Sequence, residues 1–210
     1  MNENSANSYR VLLTGGEGEY VEKKSRFIAT IRKCESEEEA SAFIDEMKKK
    51  YWDAKHNCSA FVIGSRGELT RCSDDGEPSG TAGRPMLEVL TGEGIRNIAV
   101  VVTRYFGGVL LGTGGLVRAY SSSISQALKV ATLTTVTTLQ EFQIHFSYDL
   151  IGKIDHYFRT QNIEVIEQQY EEDVVYHFLV LEDISKDLME LTNGKIKIQY
   201  IQDIETECVI

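Results

Sequence analysis

The segment VVVTRYFGGVLLGTGGLVRAY, residues 100–120, changes from β-branched residues to glycines and then to a helical pattern. It begins inside the run NIAVVVTRYF, the most hydrophobic in the chain, which is typical of a central strand buried on both faces. From Leu116 onward, apolar residues recur at the spacing of one helix face. Between these two elements lie five glycines, Gly107, Gly108, Gly112, Gly114 and Gly115. The segment therefore predicts a buried strand, a glycine loop and a packed helix.

The glycine loop has two interpretations. A turn from strand to helix directs backbone N–H groups and the positive end of the helix dipole at one point, which favours an anion. Arg104, at the end of the strand, would add a bidentate donor. The loop matches neither the dinucleotide-binding fingerprint nor the P-loop. Tight turns and close helix packing would also explain the glycines. The sequence is therefore consistent with two interpretations: a loop that binds an anion or a partner, and a loop whose glycines serve only packing.

A second glycine-containing loop, SDDGEPSGTAGRP, spans residues 73–85. Its acids are weak candidates for a general base or for ligands of a hard cation, namely Asp74, Asp75 and Glu77. Three further residues join the predicted anion- or partner-binding set, namely Gly80, Thr81 and Gly83. A surface loop with Asx turns is the alternative. We expect this loop and the glycine loop to line one cleft with Arg104 on its wall, unless Arg104 instead pairs with an acid such as Asp75.

The segment WDAKHNCSA, residues 52–60, contains the weak catalytic candidate His56. A lone histidine is more often structural than catalytic. A His56–Cys58 pair is disfavoured on the expectation that the strand points the two side chains to different faces. The four cysteines show no CxxC spacing and the four histidines no paired spacing, so free thiols and no metal are expected. We assign no catalytic set and expect no cofactor.

The remaining pattern of the first part alternates strands and helices. YRVLL and SRFIATIRKC are predicted strands, with TGGEGEY as a turn between them. Ser36 and Glu39 have the spacing of a capping box and predict the start of a helix. A hairpin is predicted around Arg66–Gly67, and RPMLEVL is predicted to be a short helix or a helical turn.

The composition changes near Thr134. The following residues predict the order βαββαβ, which is that of a ferredoxin-like domain. Residues 1–134 hold 17 Lys/Arg and 17 Asp/Glu, whereas residues 135–210 hold 5 and 15 and so account for the net charge of −10. We therefore predict two domains, 1–134 and 135–210. Because acidic segments repel phosphate backbones, any contact with nucleic acid is expected in the first domain.

The chain has no apolar run near 18 residues and no secretory signal at its start. We therefore expect a cytoplasmic protein without a membrane association.

Three long motifs resemble the IMPACT family in its bacterial YigZ-like branch. They are YWDAKHNCSAFVIG, DDGEPSGTAGRPML and the opening segment, in which Val101–Gly112 match the family signature without a gap. The resemblance covers essentially the whole chain and is strongest in residues 20–131. It implies an α+β protein. The N-terminal domain would be a two-layer βββαβα fold shared with a small-subunit ribosomal protein, and the C-terminal domain would resemble the last domain of elongation factor G.

The resemblance also implies a role in the regulation of translation. The favoured function is a non-enzymatic binding protein whose partner is RNA, the ribosome or a translation factor. The alternative is a hydrolase or transferase acting on a phosphorylated or carboxylated small molecule in the acidic, glycine-rich cleft.

Overall fold

The computed structural model describes residues 8–208 and confirms the α+β class. Two compact units divide these residues: Tyr9–Thr135 forms the N-terminal unit, and Val136–Cys208 with Ser8 forms the C-terminal unit. That the predicted domains 1–134 and 135–210 fold separately stays a prediction. No helix in the described part of the chain has the length and apolar character needed to span a membrane.

The N-terminal half is built around an antiparallel sheet with the strand order β2-β3-β6-β4-β5. The elements are β1 (Ser8–Thr14), β2 (Gly16–Glu22), β3 (Ser25–Lys33), α1 (Glu37–Lys50), β4 (His56–Ile63), β5 (Leu69–Ser73), α2 (Gly83–Gly92), β6 (Ile98–Tyr105) and α3 (Thr113–Val130). The predicted central strand is confirmed, because β6 lies between β3 and β4 and is buried along nearly its whole length.

Alternation along β6 assigns its side chains to two hydrophobic cores. Val100 and Val102 face the core that contains α2 and α3, whereas Val101 faces the core that contains α1. The sheet with α2 and α3 supplies the predicted two layers, and α1 adds a third layer on the opposite face. The predicted cap of α1 is confirmed, since the Ser36 hydroxyl accepts the Glu39 N–H at 3.2 Å.

The predicted turn TGGEGEY is wrong, because most of it is strand β2, paired with β3. Two of its three glycines, Gly16 and Gly18, serve close packing against α3. A Cβ atom on Gly18 would lie 2.2 Å from the Ala127 nitrogen, and one on Gly16 would lie 2.9 Å from the Ala127 oxygen. Glycine inside a strand can mark a close backbone approach as well as a turn, and here the helix lies directly on the strand. The actual turn is Lys23–Lys24, between β2 and β3.

The C-terminal unit has the predicted βαββαβ order. Its elements are β7 (Thr132–Phe146), α4 (Ile151–Thr160), β8 (Glu164–Tyr170), β9 (Val174–Val180), α5 (Ser185–Thr192) and β10 (Lys197–Cys208). Strand β7 pairs with β9 and β10, and β9 pairs with β8. The strand order β10-β7-β9-β8 is that of a ferredoxin-like sheet. Because β7 begins at Thr132, the predicted boundary near Thr134 falls inside a strand.

Candidate functional site

Strand β6 positions Arg104 at the end of the central sheet. Arg104 continues the alternation of Val100 and Val102 and therefore lies on the α3 face. Its neighbours across the sheet are Phe27 on β3 and His56 on β4. The residue is only 7% exposed. A guanidinium buried to this degree needs partners, because an unpaired buried charge is unfavourable.

The partner of Arg104 is Glu77. Arg104 Nη1 donates to Glu77 Oε1 at 2.6 Å, and the Tyr120 hydroxyl donates to the same oxygen at 2.8 Å. Both members of the ion pair are buried. The acid that we suggested as an alternative partner, Asp75, instead forms an ion pair with Lys48. Arg104 Nε is buried and has no hydrogen-bond partner.

The thiol of Cys58 belongs to the same buried network, where its Sγ lies 3.2 Å from the Tyr120 hydroxyl and 3.0 Å from the Asp74 carbonyl, and these two acceptors share its single proton. Burial raises the pKa of Cys58 to about 12, so the thiol stays protonated at neutral pH. Our reason for disfavouring a His56–Cys58 pair was wrong, because residues two apart on a strand share a face. The protonated, buried thiol is the physical reason that it is no nucleophile.

Asp74 caps helix α2. Its Oδ1 accepts the N–H groups of Ala82 at 3.0 Å and Gly83 at 2.8 Å, and its Oδ2 accepts the Gly80 N–H at 2.7 Å. Burial acts to raise the pKa of Asp74, but the three backbone donors outweigh it, so the pKa lies below its ordinary value. A carboxylate held in this way stabilises the helix N-terminus.

Asp75 holds the same loop against β4. Its Oδ2 accepts the Asn57 N–H at 2.7 Å, and its carbonyl lies 2.9 Å from His56 Nδ1. Thr81 also bonds within the loop, since its hydroxyl donates to the Pro78 carbonyl at 2.7 Å. Among residues 8–208, no three His, Cys, Asp or Glu side chains are grouped as metal ligands.

A cleft of about 480 Å³ opens at this end of the sheet. We call it the Arg104 cleft. Its lining comes from the start of β4 and the residue before it, from the loop that precedes α2, from the end of β6, from the loop between β6 and α3, and from the start of α3. The lining residues are Lys55, His56, Gly76, Glu77, Pro78, Arg104, Phe106, Leu110, Leu111, Gly112, Thr113 and Leu116.

The cleft unites some of the predicted site residues and leaves others out. Both predicted loops reach its wall, where they contribute Glu77 and Gly112, while the strands contribute Arg104 on β6 and the weak candidate His56 on β4. The other predicted residues are not part of this lining, namely Asp74, Asp75, Gly80, Thr81, Gly83, Gly107, Gly108, Gly114 and Gly115.

Several glycines of the second group have structural explanations. A Cβ atom on Gly107 would lie 2.0 Å from the Lys24 carbonyl carbon, and one on Gly83 would lie 2.8 Å from the Ser73 nitrogen. Gly80 and Gly108 have positive φ angles of 75° and 85°. For these four positions, close packing and turn geometry account for the glycine.

The rim of the Arg104 cleft exposes large apolar side chains. Phe106 is 56% exposed and Leu110 is 82% exposed, and Val109 lies between them on the same loop. We call Phe106, Val109 and Leu110 the apolar rim. Exposed apolar groups next to a cleft often mark a binding surface.

Sequence reasoning missed the turn Lys23–Lys24, whose backbone touches the glycine loop at Gly107. Both lysines are exposed and have positive φ angles, 45° for Lys23 and 65° for Lys24. A two-residue hairpin turn of this geometry ordinarily uses Asn-Gly or a similar pair. Two lysines carry no such turn signal, so only recognition of β2 as a strand could have located the turn.

Comparisons with known proteins agree with this fold. Residues 23–128 match the Impact N-terminal domain, and residues 144–195 match a domain of unknown function. The chain is 42% identical to the IMPACT family member YvyE of Bacillus subtilis, covering 91% of this chain and 90% of that protein. It is 35% identical to the IMPACT family member YigZ of Escherichia coli, covering 86% of this chain and 92% of that protein. A crystal structure described as that of a hypothetical protein is 33% identical, with a TM-score of 0.61 over 93% of this chain and 98% of the other.

Proposed function

Because the chain belongs to the IMPACT family, we propose that it is a non-enzymatic binding protein that contacts RNA of the translation machinery in the cytoplasm and regulates translation. The contact surface is the end of the N-terminal sheet, formed by the apolar rim, the turn Lys23–Lys24 and Lys55. The assignment to translation rests on the family, and the assignment to RNA rests on the chemistry of this surface.

One observation carries the proposal, namely that the apolar rim lies beside cationic side chains. Phe106 and Leu110 line the Arg104 cleft together with Lys55 and Arg104. Proteins that bind single-stranded nucleic acid combine aromatic groups, on which bases stack, with positive groups that follow the phosphate backbone. A rim built only for packing would bury Phe106, which is instead 56% exposed.

The turn Lys23–Lys24 supports the same interpretation. Positive φ angles are unfavourable for non-glycine residues, by about 1–2 kcal/mol each. Strained backbone often occurs where function requires a particular side chain. Neither lysine forms an ion pair with a described residue, and both are exposed beside the glycine loop. Their positive charges therefore stay available to phosphate groups.

The hydrolase or transferase alternative needs a carboxylate that is free to accept a proton from a substrate or water. The three candidate acids already have partners. Asp74 caps α2, Asp75 binds β4 and Lys48, and Glu77 accepts from Arg104 and Tyr120. This arrangement favours binding over catalysis.

The proposal is tested by fluorescence anisotropy with a labelled single-stranded RNA of about ten nucleotides. Affinity should fall from about 50 to about 200 mM salt. Replacing Lys23→Asn with Lys24→Gly should weaken binding and flatten the salt dependence, because two phosphate contacts are lost. The same variant should be more stable by about 1 kcal/mol, since Asn-Gly suits the turn. Phe106→Ala should weaken RNA binding by a similar factor at low and high salt, because it removes a stacking surface and no charge.

A matched control removes the same charge elsewhere. Lys195→Ala with Lys197→Ala changes two exposed lysines of the C-terminal unit and should bind RNA as the wild type does. Equal losses in the two double variants would show that only net charge matters. Absence of RNA binding at low salt by the folded wild type would overturn the proposal.

A further inference from the structure

Arg104 has unused hydrogen-bonding capacity. Glu77 occupies Nη1, whereas Nε is buried without a partner, although the residue is only 7% exposed. The guanidinium carbon lies 5.6 Å from the centre of the Phe106 ring, and both residues line the Arg104 cleft. Arg104 therefore lies at the wall of an open cleft and keeps one unpartnered donor, its buried Nε. A buried donor without an acceptor is rare, and a ligand that enters the cleft could supply the acceptor.

The N-terminus of α3 lies on the same cleft. Gly112, the N-cap, and Thr113, the first helical residue, both line it. Gly112 makes no side-chain cap bond, and the first turn of this 18-residue helix has no acidic residue. The first N–H groups of a helix lack partners within the helix, and the helix dipole makes this end positive. An anion in the cleft would satisfy them.

The charged side chains of the cleft add to this preference. Lys55 is exposed and forms no ion pair with any residue in the range 8–208, and His56 is the neighbour of Arg104 across the sheet. Glu77 is the one carboxylate among the lining residues, and its Oε1 already receives two hydrogen bonds. Lys55 and Arg104 against Glu77 leave the lining with a net positive charge.

The cleft is larger than a phosphate ion. Its volume is about 480 Å³, and one side of it is apolar, with Phe106, Leu110 and Leu116. Pockets of this size hold organic molecules whose few polar groups fix their orientation. A ligand that combines one compact anion with a flat, weakly polar group fits both sides.

We propose that the Arg104 cleft binds the phosphate monoester of a nucleotide. The phosphate lies between Arg104, Lys55 and the first N–H groups of α3, and the base lies against Phe106 and Leu110. The inference deepens the proposed function by naming the chemical group that the cleft takes. The monoester belongs either to a free mononucleotide or to the phosphorylated end of an RNA strand.

Calorimetric titrations with AMP, adenosine and inorganic phosphate test whether the Arg104 cleft binds a nucleotide phosphate monoester. AMP should bind at least roughly tenfold more tightly than adenosine or phosphate, because only AMP occupies both sides of the cleft. Anisotropy with one RNA carrying a 5′-phosphate, a 3′-phosphate or two hydroxyl ends then identifies the source. Tighter binding of a phosphorylated RNA assigns the site to an RNA end, and a response to AMP alone assigns it to free nucleotides.

Variants locate the site. Thr113→Pro removes one N–H donor at a helix position that tolerates proline and should weaken AMP binding roughly tenfold. Its matched control, Glu37→Pro, makes the same change at the first residue of α1, on the other face of the sheet, and should leave AMP binding unchanged. Lys55→Gln should also weaken binding, whereas the exposed control Lys49→Gln should not.

The role of Arg104 is tested by changing Arg104 and Glu77 together, because a substitution of Arg104 alone leaves the Glu77 carboxylate buried and unpaired. Arg104→Met with Glu77→Gln removes both charges and should abolish AMP binding in a folded protein. If AMP binds no better than adenosine and no phosphorylated RNA end is preferred, the monoester site is overturned, while salt-dependent RNA binding would still support the proposed function. Conversely, AMP binding without RNA binding supports the site and overturns the proposed function.

Discussion

Helices α2 and α3 both begin after a glycine-containing loop, yet their N-termini differ. At α2 the carboxylate of Asp74 accepts the N–H groups of Ala82 and Gly83, so the chain supplies its own anion. At α3 the N-cap is Gly112, which has no side chain, and no acid lies in the first turn. The second helix start opens onto a cleft with Arg104 and Lys55.

The difference shows that glycine and a helix start do not by themselves make a ligand site. What separates the two ends is whether an upstream carboxylate folds back onto the helix. In the loop before α2, Asp74 lies eight residues before Ala82 and reaches it. The segment between β6 and α3, residues 106–112, contains no acid. Of the two helix starts, only that of α3 lacks a carboxylate supplied by the loop before it.

The largest expected effect concerns the ion pair that joins the two helix starts. Glu77 belongs to the loop before α2, and Arg104 belongs to the strand before α3. Glu77→Ala leaves a buried guanidinium without its partner and should lower the free energy of unfolding by about 3–5 kcal/mol. Urea denaturation measures this loss. Arg104→Met with Glu77→Gln should recover most of it, because no charge remains buried. A loss below about 1 kcal/mol in Glu77→Ala would show that the two loops are not held together by this pair.

The next effect in size belongs to α2. Asp74→Ala removes three charge-assisted hydrogen bonds from backbone donors and should destabilise the protein by about 2 kcal/mol. Asp74→Asn keeps the oxygen that Ala82 and Gly83 use and should lose about half as much. Denaturation midpoints of the three proteins provide the test. Equal stability of Asp74→Ala and the wild type would mean that α2, like α3, needs no anion from the chain.

The stabilisation by Asp74 should also depend on pH. Because the pKa of Asp74 is lower in the folded protein than in the unfolded chain, its contribution is complete above the ordinary aspartate pKa of about 3.9. It is lost as the pH falls through the lower pKa of the folded state. The stability difference between wild type and Asp74→Asn should thus be constant above about pH 5 and shrink toward pH 3. A difference that is unchanged across this range would assign the effect to packing instead of charge.

Much of this architecture can be predicted from the sequence. Hydrophobic spacing and capping patterns indicate the strand that contains Arg104, the helix that follows it, the Ser36 cap and the βαββαβ order of residues 135–210. Such patterns are local and reflect burial of one face. The two-layer core of the N-terminal half, in contrast, came from the family resemblance.

What the sequence did not reveal depends on partners distant in the chain. Gly16 and Gly18 seemed to form a turn because the helix that requires them, near Ala127, lies more than a hundred residues away. Asp74 seemed free for chemistry because its acceptor role needs a folded loop. The ion pair of Arg104 with Glu77 likewise depends on the packing of the loop before α2 against strand β6. The sequence shows both residues but not that they meet.

The smallest expected effect is a conversion of α3 into a helix start like that of α2. Thr113→Asp places a carboxylate in the first turn, beside Arg104 and Lys55, where the helix dipole favours negative charge. It should raise the free energy of unfolding by about 0.3–1 kcal/mol at low salt, and less at high salt, because salt screens the interaction. Thr113→Asn, which has the same shape without the charge, is the control. The carboxylate would also occupy the place assigned to the phosphate, so the variant should gain stability and lose AMP binding together. If Thr113→Asp is no more stable than Thr113→Asn at low salt, the N-terminus of α3 does not attract an anion. The N-termini of α2 and α3 would then differ in their loop conformation but not in their affinity for negative charge.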